Sequence, residues 1–190
     1  IKDAKAALSR QFEHDHILKA EVYDNIIGMR ESVLGNEVAA DLLGEANTEV
    51  STYWTDGQSG VKCKARIDAL PYQDSDWGYC LVDVKTTTDA SEREFQRSVL
   101  NFGYHRQAAH YLASTSDKVF DRNRFIFICV EKAPPHCMAI YELDPDALEL
   151  ARSELDHILG VWSECEGIGD WPSYPEGIQE LSLPGWAYTQ

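Results

Sequence analysis

Cations are scarce in this chain: 17 Lys and Arg stand against 32 Asp and Glu, a formal charge of −15. Such a deficit argues against a surface that wraps nucleic acid or an anionic membrane over its whole extent. Cysteine is used sparingly and without pattern. The five residues 63, 80, 129, 137 and 165 form no C-x-x-C pair and are odd in number. That excludes a structural zinc knot or a disulfide framework and points to reduced thiols in a cytoplasmic protein. No apolar run approaches the roughly 18 residues of a membrane span. The longest, Phe125 to Val130, suits a buried strand. A signal-peptide core, internal repeats and low-complexity tracts are missing too, and so is an initiator Met.

The 190 residues, 44% of them hydrophobic, suffice for a single domain with a proper core, expected over 1–190. The acidity is unevenly spread. Residues 62–132 hold 11 basic against 10 acidic side chains, and the remainder holds 6 against 22. A near-neutral segment inside an acidic chain is where an anionic ligand would be tolerated.

Periodicity predicts α/β architecture. Val22, Ile26, Met29 and Val33 fall at helical spacing up to Gly35-Asn36, and a short helix is expected over 37–43. Val50 to Trp54, Val61 to Leu70 and Tyr79 to Lys85 read as three antiparallel strands in a meander, the first turn being Asp56 to Gly60. A helix from Asp89-Ala90-Ser91-Glu92 through Phe102 follows, with Tyr104 to Ala113 either continuous with it or bent at Gly103. Phe125 to Glu131 and Cys137 to Leu143 are two further strands. Asp144-Pro145 opens a last helix, with Pro at its first position. The Trp- and Pro-rich tail from Gly167 reads as ordered loop. The expected order is α-β-β-β-α-β-β-α, a mixed central sheet flanked by helices.

Chemistry concentrates between Ile67 and Thr87. Asp68 ends one apolar run, and Asp83-Val84-Lys85 lies inside the next. Strand alternation places Asp83 and Lys85 on one face, with Val82 and Val84 turned to the core. Two carboxylates and an ammonium on a sheet face suit a hard divalent cation and a phosphodiester. Asp68, Asp83 and the Val84 carbonyl are the expected metal ligands. Lys85 is the expected catalytic cation. Glu49 is a candidate third acid. On the helix that follows, Gln107 and Tyr111 share a face at i, i+4, while His105 and His110 are split around it and are not expected to ligate.

In this order, Glu49, the run Gly60 to Asp68, Asp83-Val84-Lys85-Thr86-Thr87 and Gln107-Ala108-Ala109-His110-Tyr111 resemble the PD-(D/E)xK nuclease superfamily. More closely they resemble the RecE (exonuclease VIII) nuclease domain of phage recombination systems. Leu18 to Tyr23 and Met29 to Leu34 are similar to that family's lead-in helix. The resemblance implies a restriction-endonuclease-like core and a 5′→3′ exonuclease acting on double-stranded DNA ends with Mg²⁺ or Mn²⁺. Lys85, Gln107, Tyr111 and Glu49 would be catalytic. It also implies a ring-shaped homo-oligomer, a tetramer foremost, and a RecT-type single-strand annealing partner. Lys62, Lys64, Arg66, Thr86, Thr87, Arg97 and Arg106 are the expected DNA contacts. The family's metal-binding His has no match here, since His14 and His16 sit in a polar connection. With the absent Met, this leads to the expectation that the chain starts downstream of a helix. A structure-selective or Cas4-like endonuclease, and a catalytically silent subunit of the same fold, stay open as alternatives.

Overall fold

Why the polar site sits at the end of a central strand follows from the strands around it. Val61, Cys63, Ala65 and Ile67 are buried, while Lys62, Lys64 and Arg66 are exposed, so the expected alternation is realised. A computed structural model describes residues 18–115 and 122–188. Five strands, β1 (Ala46–Thr55), β2 (Lys62–Pro71), β3 (Cys80–Thr87), β4 (Arg124–Glu131) and β5 (Met138–Glu142), form one sheet in sequence order. β1, β2 and β3 pair antiparallel, β3 and β4 parallel, and β4 and β5 antiparallel. The parallel pair requires a crossover. Two helices, α3 (Glu92–Phe102) and α4 (Tyr104–Ala113), supply it.

The sheet is covered on both faces. Leu81, Phe125, Phe127 and Cys129 pack against Phe95 of α3, Ala108 and Leu112 of α4, and Leu148 of α5 (Pro145–Ile168). On the other face, Val82, Ile126, Ile128 and Val130 meet Val33 of α1 (Ala20–Leu34) and Ala39 and Leu42 of α2 (Glu37–Gly44). This is the expected α/β sandwich. Fully buried β4 explains why its apolar run is unbroken. Asp144 caps α5, accepting from the Ala147 N–H at 2.9 Å, with Pro145 at the first position as expected. Far along α5, the Ser163 hydroxyl donates to the Ser59 carbonyl at 2.8 Å and ties the helix to the β1–β2 turn. Among the described residues no helix is long and apolar enough to cross a membrane.

Three local features matter. The crossover is two helices, because Gly103 adopts the left-handed conformation (φ 68°), closing α3 and opening α4. A Cβ there would also lie 2.9 Å from the Arg106 guanidinium. Glycine is the residue that takes this corner without strain. Second, Val84 is not turned into the core. It is 36% exposed and lines an open apolar groove with Met29, Val33 and Leu43, since α1 packs on β4 rather than over the end of β3. Third, the tail beyond α5 is extended and exposed except for a single 3-10 turn at Gly185–Tyr188, with Trp171 edge-on to Trp162 at 4.9 Å. His14 and His16 lie outside the described residues.

Helix α1 is seated by a close approach. A Cβ on Gly28 would come within 2.5 Å of His136 Nε2. That ring is buried and pinned through Nδ1 to the Glu131 carbonyl at 3.0 Å. The Ser32 hydroxyl donates to the His136 carbonyl at 2.6 Å on the same side of the helix. Gly28→Ala is therefore expected to lower stability by about 1–3 kcal/mol in urea unfolding, although alanine is the better helix former. His136→Ala should relieve most of the added cost in the double variant. An additive pair, or a stabilised Gly28→Ala, would remove this contact from the account of α1 docking.

Candidate active site

β2 and β3 stay together for one rung only, Ala69 opposite Val82. Beyond it the strands part at the position where Asp68 faces Asp83. Asp68 Oδ2 accepts a hydrogen bond from the Val84 N–H at 2.9 Å, so a side chain takes the place of a strand partner. On the other side, β3 continues to pair with β4 through Lys85 and Thr87. The divergence exposes the end of β3 to one side while holding it rigid from the other.

Asp83, Lys85 and Gln107 close a ring of contacts there. The Lys85 ammonium is 2.7 Å from Asp83 Oδ2 and donates to Gln107 Oε1 at 2.9 Å. Gln107 Nε2 donates to Asp83 Oδ1 at 2.8 Å. The orientation of the amide is fixed, because an ammonium only donates and a carboxylate only accepts. Asp83 is 1% exposed and the Lys85 side chain 17%. The Lys85 ammonium also lies over the Tyr104 ring, 4.5 Å from its centroid. Gln107 reaches the strand because α4 starts afresh after Gly103.

Burial pushes the Asp83 carboxyl above its ordinary range; Lys85 opposes this, and the nearby Asp68 charge adds to it. The Ala69–Val82 register and the Asp68–Val84 hydrogen bond place the two aspartates opposite one another on neighbouring strands. Although close to Lys85, buried Asp83 Oδ2 has no well-aligned hydrogen-bond donor. A buried carboxylate oxygen with spare lone pairs, facing a second carboxylate, fits a hard divalent cation. Mg²⁺ needs only one or two protein carboxylates and keeps waters or phosphate oxygens elsewhere in its shell. Among the described residues, no third His, Cys, Asp or Glu joins the pair. Asp68 and Asp83 would hold such an ion; the Val84 carbonyl, also expected to ligate, lies in the backbone between Asp83 and Lys85.

Other expected residues lie elsewhere. Glu49 falls across from Asp68 between the pairs Thr48–Ala69 and Val50–Ile67, but its φ of 56° turns it and its carboxylate is ion-paired with Arg66. Tyr111 is one turn beyond Gln107, packed edge-on to Phe125 at 6.3 Å as part of the core rim. Lys62, Lys64 and Arg66 project from the side of β2 away from α4. Arg97 is paired with Glu94 at 2.5 Å, and Arg106 lies 3.7 Å from Glu154. Thr86 is exposed, and the Thr87 hydroxyl donates to the Asp89 carbonyl at 3.1 Å. His105 contacts Glu154 at 3.0 Å and His110 the Lys64 carbonyl at 3.1 Å, both off the site as expected. Tyr104 is the residue that sequence reasoning missed. Its signal was the αL-prone glycine just before it, which resets the helix phase. The described thiols are all free, and burial holds Cys80 at about 11 and Cys129 at about 12, well protonated at neutral pH.

The pair has a stability signature. Asp83 binds its proton more tightly folded than unfolded, so ionising it costs stability as pH rises above the ordinary carboxyl value of 3.8. Removing Lys85 raises that cost. Lys85→Ala is expected to lose about 3 kcal/mol at pH 7 in metal-free buffer, because a buried charge is left alone. The loss should shrink as pH falls toward 3.8 and Asp83 is neutralised. Urea titrations at pH 4 and pH 7 check this; a loss independent of pH would mean that packing, not charge, is what Lys85 supplies.

The fold has a solved counterpart. The crystal structure of a "putative exonuclease" from Eubacterium rectale matches 98% of this chain and 73% of that one, at 14% identity and a TM-score of 0.64. At such identity the likeness speaks for the fold alone. The phage related exonuclease from Haemophilus somnus 129PT matches 87% of this chain and 81% of its own, at 10% identity. Its TM-score of 0.47 is too low to add to the argument. No curated protein sequence matches. The model of one family spans residues 1–184, and with the strand order and the Asp83-x-Lys85 ring already described, the chain belongs to the family described as PDDEXK-like domain of unknown function (DUF3799).

Proposed function

We propose that this chain is a metal-dependent 5′→3′ exonuclease of RecE type, which degrades double-stranded DNA from its ends and leaves 3′ single-stranded tails for recombination. The observation that carries the reading is the closed Asp83–Lys85–Gln107 ring facing Asp68. A structural ion pair would need no second carboxylate beside it, since that raises the cost of burial.

A Mg²⁺ or Mn²⁺ ion between Asp68 and Asp83 would supply Lewis acidity and a more acidic water. The chain's own residues do the positioning. Lys85 has three N–H donors; Gln107 accepts one and the Asp83 carboxylate lies against the ammonium, leaving a donor for a phosphate oxygen or an attacking water. Gln107 fixes both charged partners at once, so the ammonium does not drift when substrate arrives. Tyr104 covers the ammonium from the side and keeps it from bulk water. The lysine thus meets charge developing at phosphorus with little reorganisation.

Acid spread outside residues 62–132 supports a channel-like use of DNA, in which only an inner surface meets the duplex. Lys62 and Lys64, exposed and without ion pairs among the described residues, suit that surface. A ring-shaped homo-oligomer, a tetramer foremost, and a RecT-type annealing partner belong to the same proposal.

The test is a linear duplex with free or blocked 5′ ends, incubated with the full chain and Mg²⁺. Loss of mononucleotides from free 5′ ends only is expected. Internal cleavage would favour a structure-selective endonuclease, and binding without cleavage a silent subunit. Lys85→Ala should lower kcat about 10²–10³-fold, roughly the worth of one transition-state electrostatic contact, while DNA binding persists. Mg²⁺ should raise the Tm of the wild type and not that of Asp83→Asn. Cleavage by Lys85→Ala at the wild-type rate would end the mechanism.

A further inference from the structure

A second feature adjoins the ring of contacts. Behind Lys85, at the end of β3, lies a cavity of about 210 Å³ lined by Lys85, Thr87, Ser98, Phe102, Tyr104 and Lys132 among others. In a protein of charge −15, no carboxylate lines it. Two lysines do. Lys85 is committed to Asp83 and Gln107, but Lys132 has no ion-pair partner among the described residues. Its backbone N–H donates to the Thr87 carbonyl at 2.9 Å, which fixes it beside the end of β3. The neighbouring acid, Glu131, is drawn aside by the Ala90 N–H at 2.9 Å. The half-buried Ser98 hydroxyl adds a donor from α3.

One wall is aromatic. Phe102, 70% exposed, lies with its ring 5.6 Å from that of Tyr104, which in turn sits on the Lys85 ammonium. The ring is not spent on the core. Phe102 ends α3 immediately before the left-handed Gly103, so its direction is set by backbone geometry. An anion-favouring pocket walled by an open aromatic ring matches a nucleotide, charged at one end and flat at the other. The volume is below that of a whole ligand site, so the phosphate enters and the base rests on Phe102 at the rim.

We infer that the cavity behind Lys85 is a single-nucleotide subsite, holding the phosphate that flanks the scissile one between Lys132 and Ser98 and stacking its base on Phe102. This rests on the nuclease reading of the adjoining Asp83–Lys85 ring. The subsite sets the register of the strand: a phosphate seated at Lys132 places its neighbour one nucleotide along, at Lys85.

The probe is thymidine 3′,5′-bisphosphate, titrated calorimetrically into the full chain in metal-free buffer, alongside duplex hydrolysis in Mg²⁺. Phe102→Ala is expected to weaken the probe about tenfold and Phe102→Tyr to restore it. An abasic sugar bisphosphate should bind Phe102→Ala and wild type alike. Lys132→Ala should weaken both probes, raise KM for duplex about tenfold with kcat little changed, and flatten the salt dependence of duplex binding by roughly one counterion. Wild-type affinity in Phe102→Ala and Lys132→Ala, or no binding of the probe to wild type, overturns the subsite. If wild type cleaves duplex in that case, the nuclease reading stands without it. If the probe binds as expected but no duplex is hydrolysed, the subsite stands and the exonuclease reading falls.

Discussion

An ammonium and a carboxylate two residues apart on one strand, both shielded from water, set the terms for the rest of this molecule. Burying Asp83 is unfavourable enough to push its carboxyl upward even with Lys85 beside it. The pair persists because the surrounding elements answer each charge: Gln107 bridges both, and the Tyr104 ring lies under the ammonium. Those two residues come from the same short helix, and that helix is aimed by one glycine. The left-handed corner at Gly103 thus has its effect one helix back in the sequence, at the tip of β3.

Sheet topology completes the arrangement. A parallel neighbour on one side keeps β3 straight, and an antiparallel neighbour on the other departs after a single rung. The strand is anchored and accessible at the same residue. Regular pairing on both sides would have left the Val84 N–H to a backbone partner instead of Asp68. Pairing on neither would have left Asp83 and Lys85 as a solvated ion pair of little value.

Much of this was legible in the residue order. Alternation in β2, the unbroken apolar run of β4 and the Asp144-Pro145 helix start gave elements and layers, because period and capping are local properties. Asp83 and Lys85 shared a face for the same reason. Facts of long range were not legible. Glu49 reads as an acid near a strand start, yet whether it turns to a cation or to Arg66 depends on a backbone angle of 56° that no neighbour announces. Arg66, Arg97 and Arg106 read as available cations, but each has an acid within 4 Å. Val84 followed the alternation and still ended half-open, because α1 packs on the neighbouring strand β4. Tyr111 obeyed its i, i+4 spacing to Gln107, and the turn between them carried it into the aromatic rim.

Asp68 has a consequence of its own. Its carboxylate occupies a rung of the ladder, receiving the Val84 amide as a peptide carbonyl would. The oxygen that would greet an incoming cation is therefore already a structural tie between the β1–β2 hairpin and the sheet. Loading and architecture are wired through one side chain. The protection of that single amide against solvent exchange would therefore follow the occupancy beside it.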